Sequence, residues 1–263
     1  MRALVLLLCM AVWMAACTTT VTSSSGAVIE APPATEQVDV ERRVAVRMEL
    51  AGMYYSRGQY DIALDEIKAV LQSKPNLGPA YALRGLVYSS MGEEALADES
   101  FNRALQINPR DGDTLHNRGW FLCQRNKFAE ADQQFEQALA LPQYRDAQRT
   151  LLAQGVCFAR AGKLEDAERK LSRAYELDPT NPTTALNLAE VLYRRGEFER
   201  ARFYVRRVNQ REEISNAQTL WLALRIENRM GNRSGVDDYG RQLRNRFPQA
   251  SETMAYERGR LDE

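Results

Sequence analysis

A chain of 263 residues, 44% hydrophobic and 27% charged, has the composition of a soluble helical protein with room for one repeat array and little else. Its 35 basic and 35 acidic residues cancel to a formal net charge of zero, which argues against a general nucleic-acid binder. A single histidine, His116, leaves no material for a histidine-based metal cluster.

Residues 1–16 read MRALVLLLCMAVWMAA, one arginine followed by an apolar run and then small residues. This is the pattern of a bacterial secretory signal peptide, too short to cross a membrane comfortably. The run Met14-Ala15-Ala16-Cys17 resembles a lipobox, where lipoprotein signal peptidase cuts, with Met14 in place of the usual leucine. The resemblance implies a diacylglycerol on the Cys17 thiol and acylation of the new amino group. Several acyl chains hold a protein stably where one holds only marginally. Thr18 is not aspartate, so by resemblance to lipoprotein sorting rules the expected destination is the outer membrane, on its periplasmic face. The alternative is an ordinary signal peptide cut elsewhere. Residues 17–41 then form the lipidated N-terminus and a Thr-, Ser-, Pro- and Ala-rich stretch without helical period, expected to be a flexible tether.

From there a period of about 34 governs the chain. Gly58, Gly92, Asn126, Gly162, Gly196 and Gly231 recur at spacings of 34, 34, 36, 34 and 35. Five residues after each stand Ala63, Ala97, Ala131, Ala167, Ala201 and Val236. Small residues at two fixed phases are the mark of the tetratricopeptide repeat, a pair of antiparallel helices. Residues 80–109 form the clearest unit. Tyr81, Gly85 and Tyr88 share one face of a first helix. Gly92 ends that helix in the left-handed conformation. Ala97, Phe101, Ala104 and Leu105 line a second helix, and Pro109 closes the unit. Gly85 and Ala97 lack bulk because the two helices must approach closely where they cross.

The frame gives six units within residues 42–250, at about 44–77, 78–111, 112–145, 148–181, 182–215 and 217–250, then a capping segment at 251–263. Unit three is irregular: Pro142 comes one place early and two extra residues follow. The sixth unit keeps the pattern weakly, as terminal repeats do. The expected fold is all-α, a right-handed superhelical solenoid of six helix pairs, each too small to fold alone.

No enzyme is expected. The chain has no paired Cys-x-x-Cys, no nucleophile elbow, no phosphate-cradling glycine loop and no dinucleotide fingerprint. No cofactor and no metal are implied. With Cys9 in the signal and Cys17 lipidated, Cys123 and Cys157 remain, late in the first helices of units three and four. In an oxidising periplasm they either form a disulfide or stay as buried thiols, and the spacing leaves both open. Between Arg194 and Arg246 lie thirteen arginines, no lysine and seven acids. That region is either a solvated helix surface or a face for anionic headgroups or an acidic partner.

Binding has better candidates than catalysis. In this repeat class the first helices line the concave face. The inward places hold Met48, Tyr55, Leu86, His116, Trp120, Val156 and Tyr193. Apolar residues on such a face mark a partner site, and packing between neighbouring first helices is the competing role for each. The Lys, Asn and Arg clamp by which some repeats of this class hold a C-terminal carboxylate is absent: Met48, Gly52, Leu83, Asp113 and Asn117 stand there.

Two stretches go beyond the general repeat. HNRGWFLCQRNKFAEADQQFEQALALPQY, from His116 to Tyr144, and AERKLSRAYELDPTNPTTALNLAEVLYRRGEFERARFYVRR, from Ala167 to Arg207, resemble the type IV pilus biogenesis lipoproteins of the PilF/PilW (pilotin) family. The run from Asn117 to Cys123 is the specific part, with Arg118 where the family often has tyrosine. The resemblance implies a non-enzymatic outer-membrane scaffold. It would bind secretin subunits of the type IV pilus, promote their localisation and multimer assembly, and so support pili and twitching motility. The chain would be monomeric apart from that partner. A lipoprotein adaptor for another envelope machine, in outer-membrane protein assembly or peptidoglycan synthesis, is the alternative.

Overall fold

The computed structural model describes residues 34–261. Cys17, the expected signal peptide and the expected tether as far as residue 33 lie outside the described residues. Thirteen helices follow one another among the described residues. They are α1 (Ala34–Ser56), α2 (Tyr60–Ser73), α3 (Gly78–Met91), α4 (Glu94–Ile107), α5 (Gly112–Gln124) and α6 (Phe128–Leu139). Next come α7 (Ala147–Arg160), α8 (Leu164–Leu177), α9 (Pro182–Arg194), α10 (Phe198–Asn209), α11 (Ala217–Arg229), α12 (Arg233–Arg246) and α13 (Ser251–Glu257). By their contacts they fall into two units, residues up to Val46 and residues from Arg47 on. The second unit carries the repeats.

The turn inside each pair repeats to the atom. All six rungs of the glycine ladder have positive φ, from 60° at Asn126 to 82° at Gly92. After Gly92 the Glu93 N–H donates to the Tyr88 carbonyl at 2.9 Å, and after Asn126 the Lys127 N–H donates to the Leu122 carbonyl at 3.0 Å. This six-to-one bond closes a helix whose next residue is left-handed. Asparagine tolerates that conformation better than other side-chain-bearing residues, which is why it can replace glycine at position 126.

The second ladder is core. Ala63, Ala97, Ala131, Ala167 and Ala201 are all fully buried, while Val236 is half-buried. The crossing of each pair matches a small residue with a large one. A Cβ added at Gly85 would stand 2.9 Å from the Phe101 ring, at Gly119 2.7 Å from Phe135, and at Gly155 2.6 Å from Leu171. Real contacts are never that short, so the glycines are volume partners of those side chains. In unit six the sizes are exchanged: Gly240 lies in the second helix, and Tyr256 of α13 occupies the space its Cβ would need.

From α4 on, each second helix packs on its own first helix, and every second helix from α2 on packs on the helix that follows it. From α3 to α11 the first helices also pack on one another, whereas no second helix packs on another second helix among the described residues. The first-helix side is therefore the inner side of the stack, and the architecture is an all-α solenoid of helix pairs. Polar caps mark several starts: Asp111 accepts from the Asp113 and Thr114 N–H groups, Asn181 from Thr183 and Thr184, and Asn216 forms a capping box with Thr219. Units five and six are joined by a buried carboxylate. Glu227, 1% exposed, meets Arg202 and Arg206 at 3.2 Å each and accepts from Asn232 at 2.7 Å.

Residues 34–41, expected to belong to the tether, are helical. Helix α1 already begins at Ala34, directly after the sequence pair Pro32-Pro33. Beyond those prolines the Thr/Ser/Pro bias gives way to Glu, Gln, Arg and Ala, which favour helix. The irregular end of unit three also has a structural reason. Tyr144, at that end, lies against Gly112, where a Cβ would collide with its ring, and its hydroxyl hydrogen-bonds Thr150 Oγ1 at 2.7 Å.

Candidate functional site

The inner side is built from the first helices, and six of the seven inward residues read from the sequence are half-buried there. Met48 and Tyr55 lie on α1, Leu86 on α3, Trp120 on α5, Val156 on α7 and Tyr193 on α9. Four of them are also packed. Leu86 and Trp120 lean on the core cluster of Phe101, Phe121 and Phe135. Tyr55 has its ring 6.1 Å from Tyr60, and its hydroxyl accepts from Ser90 at 3.4 Å. Tyr193 lies 5.7 Å from the Phe198 ring, with the Arg225 guanidinium 4.7 Å over its face. Each ring thus presents one side to the core and part of the other to the inner surface. That is the arrangement by which amphipathic rings serve both packing and recognition.

His116 is a correction. It is 5% exposed, with its ring 5.9 Å from Phe135 and Nδ1 2.9 Å from Thr150 Oγ1. Burial first, and the Arg149 charge second, push its pKa down to about 4. It is a neutral member of a polar cluster of His116, Thr150 and Tyr144 between α5 and α7, and has no open face for a partner. The sequence could not place it because its hydrogen-bond partner Thr150 lies in the next repeat, 34 residues on, and is itself bonded by Tyr144.

Beside this cluster the two stacked pairs are covalently joined. Cys123 on α5 and Cys157 on α7 have Cα atoms 5.8 Å apart and form a disulfide across 34 residues of chain. Their neighbours at the ends of the first helices add lateral polar bonds. Arg149 donates to Asn117 at 2.9 Å, and Arg194 donates to the Ala159 carbonyl at 3.1 Å. The inner side is therefore apolar and aromatic early and increasingly basic later.

One apolar feature escaped the sequence reading. Met53, Ile62, Met91 and Leu96 are 40–43% exposed, each within about one helical turn of the two turns that join α1 to α2 and α3 to α4. All four therefore lie on the same edge of units one and two. Large apolar side chains gathered at an edge are a recognition surface more often than isolated ones. The period pointed to the turns but not to which side chains the turns leave uncovered.

Among the described residues no group of three His, Cys, Asp or Glu side chains gathers to hold a metal. No described helix is long and apolar enough to cross a membrane.

The tetratricopeptide repeat family matches at residues 78–111, 100–133, 118–182 and 158–220. No curated protein matches the chain by sequence. Among solved structures, PilW, described as a widely conserved type IV pilus biogenesis factor, is 31% identical over 81% of this chain and 97% of its own, with a TM-score of 0.75. PilF of Pseudomonas aeruginosa is 25% identical over 84% of this chain and 99% of its own, with a TM-score of 0.74. YrrB, a tetratricopeptide repeat protein with an unusual peptide-binding site, is 16% identical at a TM-score of 0.59, a likeness of fold alone. With that identity to PilW over four fifths of its length, the chain belongs to the PilF/PilW family of tetratricopeptide repeat proteins.

Proposed function

We propose that the chain is a type IV pilus biogenesis scaffold, a lipoprotein anchored through Cys17 in the outer membrane on its periplasmic face. It binds secretin subunits and promotes their multimer assembly there, and so supports pili and twitching motility. The observation that carries this reading is the likeness to PilW over 81% of this chain and 97% of PilW. The grip is the inner side of units one to three, with Tyr55, Leu86 and Trp120 at its centre and the exposed edge of Met53, Ile62, Met91 and Leu96 beside it. An apolar surface of that kind suits an amphipathic segment, which buries its apolar stripe against the groove and leaves its polar side in water. No bond is made or broken; the scaffold acts by holding subunits close enough to meet.

The address and the grip are separable by experiment. Cys17→Ser should leave secretin bound to the protein in co-purification but move it out of the outer-membrane fraction. Met53→Glu/Met91→Glu should keep the protein in the membrane and lose the secretin. Co-purification of a different envelope machine in place of the secretin would sink the proposal.

A further inference from the structure

A trough of about 850 Å³ lies away from the inner side, between α8, the turn into α9, α10 and the turn into α11. Its lining holds four arginines, Arg202, Arg206, Arg207 and Arg211, against one acid, Glu199. Two of these arginines are held from behind by Glu227, and Arg211 pairs with Glu213 at 3.0 Å. Even with both those acids counted, the balance stays positive. Arg207 has no acidic partner among the described residues; its guanidinium lies 5.4 Å over the Phe203 ring.

Phe203 is 53% exposed, more than any other described aromatic residue, and it stands edge-on to Tyr204 at 5.1 Å. Tyr204 in turn meets Tyr175 edge-on at 5.0 Å. The Tyr175 hydroxyl in the trough wall is buried without a hydrogen-bond partner among the described residues. An exposed ring under an unpaired guanidinium, an unsatisfied hydroxyl and a positive rim together need an apolar anchor and acceptor groups. Solvated helix surface explains none of the three.

We infer that this trough is a second protein-interaction site, distinct from the inner side, and that its occupant is an acidic peptide segment with one aromatic or aliphatic anchor. The recessed shape and the apolar ring within it suit a peptide, whose side chains enter a trough between helix pairs, better than the flat surface of a bilayer. Carboxylates seat on the arginine rim, and the anchor lies against Phe203 and Ile214.

The test is fluorescence anisotropy with the full-length protein in nonionic detergent. The probe is a fluorescein-labelled peptide of alternating glutamate and serine with one central tryptophan. It should bind, more weakly as salt rises. Phe203→Ser and Arg207→Gln should each weaken it at least about tenfold, and Arg241→Gln, on α12 and outside the trough, should not. Circular dichroism melting confirms that the exposed variants stay folded. The same peptide with glutamine for glutamate should not bind. The inference is overturned by failure of the glutamate peptide to bind at low salt, or by equal affinity in all variants. Displacement of the peptide by soluble dihexanoylphosphatidylglycerol, lost in the same variants, would overturn it in favour of a lipid headgroup. The role proposed for the inner side does not depend on the outcome.

Discussion

Gly119 and Phe135 show how single positions carry the repeat. The missing side chain of one is the seat of the other, at a contact too short for a real Cβ. Gly119→Ala should therefore destabilise the protein by about 1–3 kcal/mol through overpacking, visible as a lower midpoint in urea. An unchanged midpoint would mean that Phe135 moves freely, against its full burial. His116 gives a pH prediction. Its folded pKa, about 4, lies below its ordinary 6.5, so the unfolded chain binds the proton more readily. Stability from its neutral form is present above pH 6.5 and is lost as pH falls from 6.5 toward 4. Between pH 7 and pH 5 the wild type should lose about 2 kcal/mol more than His116→Gln. Equal losses would contradict burial of the neutral ring. The two ladders were legible in the sequence because backbone conformation and close crossing each demand a residue type. The fate of His116 was not, because periodicity places a side chain on a helix face but does not say what lies opposite it.

At the scale of the element, the stack has one covalent link. The disulfide between α5 and α7 closes a loop of 34 residues. By the chain-entropy account this adds about 3–4 kcal/mol relative to the reduced chain. Reduction with dithiothreitol should lower the denaturation midpoint of the wild type and leave Cys123→Ala/Cys157→Ala unmoved; a wild type indifferent to reduction would show the link to carry no stability. Helices α3, α5, α9 and α11 begin at the first residues of units two, three, five and six, as the 34-residue spacing suggests. The ends of the array were harder to read. Helix α1 extends back to Ala34 because helix-forming residues without a strong apolar stripe look like linker. In the sequence Tyr144 only ended the stretch that resembles the family, and its contacts with Gly112 and Thr150 show it to be a wedge between pairs.

For the whole molecule, the fold was legible and the surface only in part. Stacked pairs bury a continuous core, so the sequence must repeat small and large residues in phase, and that phase is visible. Which apolar residues remain outside depends on the turns and on neighbouring pairs. The edge of Met53, Ile62, Met91 and Leu96 and the trough beneath Phe203 therefore emerged only in three dimensions. On the two proposals made above, the separated surfaces, one apolar and one basic, hold two segments at once. The central claim is that the chain assembles secretin. The most direct measurement is the amount of heat- and detergent-resistant secretin multimer in outer membranes of a strain lacking this gene. The account predicts that multimers disappear, that monomer remains, and that the full chain restores them while the Met53→Glu/Met91→Glu variant does not. Normal multimers in the deletion strain would contradict it.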